Sequence, residues 1–266
     1  MTYLAEAEPK SIFAINYGDA VAGPLLEECA GNQVLLEQYL DFVGDRSFRA
    51  SLLVHGERKP DIRHAIDETR LRELHVTASL ACADGETRFD HSPQRFATPW
   101  GGDVMLDHAA SKAAALALAQ AAPFAMSFDQ LRDAARERIG EAGAGTDDEL
   151  DAALIALISA IVVRGLGRYS LSLVARSGAN PRVNEAARSY PGHLPKDQAP
   201  HTFNAWHEPV VLDGAAQLLL PYIDGKRTRA QLLVMLEQAA KQGLPLDADH
   251  GDATAALNRV LRQLCA

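Results

Sequence analysis

Thr146-Asp-Asp-Glu-Leu-Asp-Ala-Ala-Leu-Ile-Ala-Leu-Ile-Ser-Ala-Ile-Val-Val-Arg-Gly165 decides the fold class. Its first four residues form a capping box, in which the Thr146 hydroxyl accepts from the third helical N–H and Glu149 reaches back to the cap. Acids at 147 to 149 suit the positive end of a helix. Leu150, Leu154, Leu157, Ile158 and Ile161 then recur on one face, and Gly165 ends the run. The apolar run from Leu154 to Val163, broken by Ser159, is about half of the ~20 residues a membrane span needs. It predicts a buried helix.

The flanking segments carry the same punctuation. Asp107 to Ala122 is rich in Ala and Leu and stops at Pro123. Ser127-Phe-Asp-Gln130 is a second capping box, opening a helix to about Ile139. After Gly165, Arg168 to Val174 alternates like a strand. Three helices followed by a strand is the order of a winged-helix domain. Upstream, Val34 to Phe42 places apolar residues 35, 36, 39, 42 and 43 on one helical face. Phe48 to His55 and Leu74 to Cys82 read as strands, Thr87 to Phe89 and Gln94 to Thr98 as shorter ones. Residues 1–32 show no clear period, with a turn at Gly23-Pro24.

Downstream, Pro181, Pro191, Pro195 and Pro200 fall in a stretch without periodicity, read as a linker over 177–205. Val210 to Leu212 is a short strand and Asp213 to Tyr222 a helix, followed by a tight turn at Asp224-Gly225. Thr228-Arg-Ala-Gln231 is a third capping box, and Asp252 to Leu264 a last helix. Segments 103–175 and 208–264 share a similar plan. The prediction is an α+β, mostly helical chain: a winged-helix-like domain over 1–176, the linker, and a second winged-helix-like domain over 206–266.

Composition narrows the function. A 266-residue chain with 47% hydrophobic and 23% charged residues folds. Glu6, Glu8 and Lys10 occupy the place of a signal peptide's apolar region, so a soluble, cytoplasmic protein without membrane contact is expected. Cys29, Cys82 and Cys265 form no C-x-x-C pair and read as ordinary thiols. The net charge is −9. Residues 1–180 hold 17 Lys and Arg against 26 Asp and Glu, and the remainder holds 9 of each, which is no footprint for nucleic acid. The helix that would enter a groove opens with acids at 147, 148, 149 and 151, a poor fit to phosphates.

Sites of chemistry are weakly marked. Gly165-Leu-Gly167 follows a helix and precedes a strand, the reverse of a dinucleotide or S-adenosylmethionine loop, and Gly143-Ala-Gly145 lies between helices. His207-Glu208 runs into Pro209, which forbids a zincin helix. Asp61, His64, Asp67 and Glu68, or His193, His201 and His207, are candidate ligand groups whose plainer reading is polar surface. There is no G-x-S-x-G elbow, and a folded-up hydrolase site stays open as an alternative. No catalytic, cofactor or metal residue is assigned.

Tyr3-Leu-Ala-Glu-Ala-Glu8, Glu37-Gln-Tyr-Leu-Asp-Phe42 and Arg46-Ser-Phe-Arg-Ala-Ser-Leu-Leu53 resemble the regulatory region of bacterial class I S-adenosylmethionine-dependent methyltransferases, including protein-lysine methyltransferases. His207-Glu-Pro-Val210 and Leu219 to Leu233 resemble the winged-helix domain that follows in those proteins, and the Asp224-Gly225 turn also resembles peptide-binding winged helices. The resemblance spans about residues 3–264. These residues show no counterpart of the family's methyltransferase domain or of the helical stretch that normally precedes Tyr3, so the expectation is either a piece of a longer enzyme or a free-standing partner, and no catalytic residue carries over. It implies a regulatory or substrate-recognition module, with S-adenosylmethionine held only in a fused or partner catalytic domain. A protein substrate would add along the Val210, Val211, Leu212 edge, anchored by Trp206 and Tyr222. An independent enzyme or, further off, a winged-helix regulator of nucleic acid are the alternatives.

Overall fold

The computed structural model describes residues 1–172, 180–195, 197–243 and 252–264, with backbone only at 9 and 141–144. The architecture is α+β and mostly helical, in two compact units, Met1–Leu171 and Ser172–Ala266.

The first unit opens with β1 (Thr2–Glu6), α1 (Asp19–Cys29), α2 (Gln33–Val43) and β2 (Ser51–Val54). β1 and β2 form an antiparallel ribbon, and the two helices meet at a small core of Ala14, Ala22, Cys29, Leu36 and Leu40. The expected Gly23-Pro24 turn is instead the middle of α1. Pro24 is exposed there, so the Ala20 carbonyl that lacks its N–H partner can meet water.

Next come β3 (His75–Thr77), β4 (Ala81–Cys82), β5 (Gln94–Ala97) and β6 (Asp103–Leu106), then α3 (Ala109–Ala121), α4 (Phe128–Ala144, with non-helical φ at Gly140), α5 (Asp147–Arg164) and β7 (Arg168–Ser170). The single strand expected over Leu74–Cys82 is two: β3 pairs with β7, and β4 joins a sheet ordered β4-β5-β6. No strand forms over Thr87–Phe89. The Arg88, Asp90 and Ser92 carbonyls are drawn onto the fully buried Lys112 ammonium at 2.8, 2.9 and 2.7 Å instead. Both expected capping boxes are present, and Leu150, Leu154, Leu157, Ile158 and Ile161 are essentially inaccessible.

The second unit contains α6 (Glu185–Ser189), β8 (His201–Phe203), β9 (Pro209–Val211), α7 (Gly214–Leu219, continued by a 3-10 turn over Leu220–Tyr222), α8 (Arg229–Lys241) and α9 (Ala253–Leu264). The described part of the stretch read as a linker is built into this unit. Val183 and Ala187 lie in its core, β8 pairs with β9, and Thr202 is fully buried. Prolines fit because they contribute carbonyls: Pro181 accepts from Gly225 N at 3.0 Å and Pro200 from Leu212 N at 2.8 Å.

The two units repeat one plan, a hairpin followed by three helices. Leu106-Asp-His-Ala-Ala110 and Leu212-Asp-Gly-Ala-Ala216 lead from hairpin to first helix, with Ala110 and Ala216 fully buried. In both, an upstream residue makes a single β-bridge to the turn before the capping box, Val76 of β3 to Met126 in one and Arg182 to Asp224 in the other.

Candidate functional site

Two regions merit attention, one in each unit. In the second, hydrogen bonds from Asn204 N to Glu208 O and from Leu212 N to Pro200 O set the phase of the β8–β9 ladder. Bonded pairs alternate, so Val210 pairs with Thr202, and Val211 turns its N–H and C=O away from β8. The side chains follow the same alternation: Val210 and Leu212 are buried, and Val211 is 71% exposed. The edge expected over Val210, Val211 and Leu212 therefore reduces to the Val211 peptide, because the ladder uses its two neighbours and Pro209 has no N–H.

Trp206 is half-buried in the hairpin loop. Asn204 Oδ1 accepts from its backbone N–H at 2.9 Å and from that of Glu208 at 3.0 Å, while the indole N–H is buried without a hydrogen bond. His207 closes the loop at φ +60. Tyr222 lies under the Arg227 guanidinium, 4.7 Å from the ring centre, and Arg227 also pairs with Asp224 at 3.3 Å. Backbone N–H donation from Lys226 and the nearby Arg227 charge hold the Asp224 carboxyl below its ordinary value.

In the first unit, α2 turns charged residues inward. Glu37 is fully buried. It accepts from Tyr3 Oη and from Gln33 Nε2 at 2.8 Å, and Arg49 Nη1 lies 3.5 Å away. One turn on, Asp41 takes Arg46 Nε at 2.7 Å and Arg49 Nε on its two oxygens. Glu6, also buried, accepts from Ala50 N at 2.7 Å and sits 3.8 Å from Arg46. Burial, then the Glu37 hydrogen bond, pushes the Tyr3 phenol far above its ordinary value. Burial alone would raise the Asp41 carboxyl, but the two arginine hydrogen bonds hold it below the ordinary 3.8. Glu6, Lys10, Arg46, Phe48 and Arg164 line a mixed-charge cleft of about 940 Å³ beside this network.

Sequence reading missed this network, although its signal was there: Glu37 and Asp41 stand one turn apart, with Arg46 and Arg49 just beyond the helix. It also placed residues 35, 36, 39, 42 and 43 on one packing face. Leu36 is buried, but Tyr39, Phe42 and Val43 are 38%, 84% and 48% exposed. Among the described residues, no three His, Cys, Asp or Glu side chains come together to hold a metal. No helix among them is long and apolar enough to cross a membrane.

Comparison with known proteins gives two family matches. Residues 180–265 match the C-terminal winged helix domain of PKMT, and residues 1–55 match the predicted methyltransferase regulatory domain. No curated protein matches. Among solved structures, PKMT2 from Rickettsia typhi in complex with AdoHcy is similar at TM-score 0.71 and 17% identity, over 97% of this chain and 52% of that one. A second structure of PKMT2 from Rickettsia typhi gives 0.70 and 18%, with the same coverage. At this identity the likeness is one of fold, and the chain spans about half the length of the structures it matches.

Proposed function

We propose that this chain is a non-catalytic regulatory and substrate-recognition module of an S-adenosylmethionine-dependent protein methyltransferase, working in the cytoplasm on a catalytic domain fused to it or bound beside it. The observation that carries the reading is the pair of family matches, regulatory at 1–55 and winged-helix at 180–265, in one chain whose fold resembles PKMT2 over 97% of its length. AdoHcy is named as bound to that protein, and here S-adenosylmethionine belongs to the catalytic domain. The Val211 peptide would pair with an extended protein substrate, with Trp206 and Tyr222 as its side-chain contacts.

Two measurements test it. Residues 1–266 alone are titrated with S-adenosylmethionine by calorimetry. The class I methyltransferase domain fused to or expressed beside the chain in its source cells is then assayed on a lysine-containing protein with and without these residues. The expected results are no saturable heat from the chain alone and at least tenfold faster methyl transfer with it present. Saturable binding by the chain alone, or an unchanged rate, overturns the proposal.

A further inference from the structure

Helix α2 carries apolar residues on both sides. Its buried side holds Leu36, Leu40 and Glu37, with Leu35 packed against the same core, and its outer arc carries the exposed Val34, Tyr39, Phe42 and Val43. A surface helix ordinarily has charged and polar residues on its outer face. The outward surface continues along the chain to Phe48, 89% exposed, and to Leu52 and Leu53 of β2, 47% and 54% exposed. Phe42 and Phe48 alone leave roughly 300 Å² of aromatic surface in water, at about 150–250 Å² per ring.

We infer that this surface, α2's outer arc with Phe48 and β2, is the docking face for the methyltransferase catalytic domain, an inference that rests on the function proposed above. Three observations select that occupant. The whole patch lies within residues 1–55, the segment that matches the methyltransferase regulatory domain. Leu52 and Leu53 are consecutive on a strand and point to opposite faces, so β2 is uncovered on both sides. A flat two-fold contact with a second copy covers one face, whereas a folded domain that wraps the ribbon covers both. Beneath the arc, Glu37 and Asp41 are tied to Arg46, Arg49 and Tyr3. This holds the apolar side out, since inward rotation of the helix would break these part-buried ion pairs and expose Glu37's partners.

The test uses the full 266-residue chain and its catalytic domain added in trans, with affinity read by calorimetry. The Phe42→Ser/Phe48→Ser double variant keeps the wild-type melting temperature, because neither ring is in a core, and binds at least thirtyfold more weakly. Leucine at both positions restores most of the affinity, and Val234→Ser on α8, another exposed apolar residue, changes nothing. Equal affinity of the double variant and wild type overturns the docking face while leaving the proposed function standing. Failure of the wild-type chain to bind the domain removes both. Two further results overturn the face by assigning it another occupant. One is a dimer of the chain alone that the double substitution dissociates. The other is co-sedimentation with phosphatidylcholine–phosphatidylglycerol vesicles that the substitution abolishes.

Discussion

Helices α2 and α5 each bury one carboxylate and differ in where their remaining apolar residues go. α5 buries its leucines and isoleucines together with Asp151, which pairs with Arg72 and Arg132, and leaves Asp147 exposed against Arg132 and Arg136. α2 buries Glu37 with Leu36 and Leu40 and shows its aromatics to water. The contrast teaches that apolar period locates a face but not its direction. Direction is set by what the remaining residues can satisfy, and Tyr3, Gln33 and Arg49 make an inward Glu37 tolerable.

The largest effects should come from breaking each helix on its own terms. Leu157→Ala removes a 1% exposed side chain from the α5 core and should cost about 4 kcal/mol, read from urea midpoints at constant slope. Glu37→Ala removes the acceptor of the Tyr3 and Gln33 donors and leaves Arg49 with Asp41 alone, and about 2 kcal/mol is expected. Phe42→Ser on the same helix should stay within about 0.5 kcal/mol. A loss from Phe42→Ser as large as that from Glu37→Ala would mean α2 is conventional after all. Lys112→Met, which leaves three loop carbonyls without their ammonium, should cost about 3 kcal/mol and open the 88–92 loop to proteolysis.

A smaller effect separates the two centres by pH. Asp41 in the charged centre and Asp90 beside Lys112 both have folded values below the unfolded ones. Hydrogen bonds from Ser92 are the main cause at Asp90, which is lowered to about 2. A depressed carboxylate stabilises above its unfolded value, and that contribution disappears as pH falls through the folded value. Melting temperature should therefore drop between about pH 4 and 2, and Asp41→Asn with Asp90→Asn should flatten that limb. Glu149 at the start of α5, Asp67 and Asp224 are also held low and supply the part of the limb that remains. A limb unchanged by the double substitution would place the acid sensitivity elsewhere.

Much of the helical frame was legible because its signals are local. The boxes at Ser127, Thr146 and Thr228 each satisfy orphan N–H groups with side chains three residues apart, and all three form. What was not legible depends on partners distant in sequence. Pro181 and Pro200 look like breakers until their carbonyls meet Gly225 and Leu212. Thr87–Phe89 looks like a strand until Lys112 claims the neighbouring carbonyls. At the candidate site, the short strand at 210–212 was readable, but three apolar residues in a row do not say which side chain or peptide faces outward, which depended on the phase set from Asn204 and Pro200.

The two hairpins give the finest comparison. Both need a residue with positive φ in the loop. β5–β6 uses Gly101, at φ +102, and β8–β9 uses His207, at φ +60. Glycine reaches that region without steric strain, whereas a residue with a Cβ is disfavoured by roughly 1 kcal/mol or more. The histidine is thus the costlier choice in an otherwise repeated plan. His207→Gly should raise the stability of the second unit by about 0.5–1 kcal/mol, after allowing for glycine's greater freedom when unfolded, and Gly101→Ala should lower that of the first by about 1 kcal/mol. Native-state hydrogen exchange of the β9 amides checks the first and of the β6 amides the second. If His207→Gly instead slowed methyl transfer in the assembled enzyme while stabilising the fold, the strain would be serving the loop that presents Trp206. That outcome would tie the difference between the hairpins to substrate recognition, since only the second carries it.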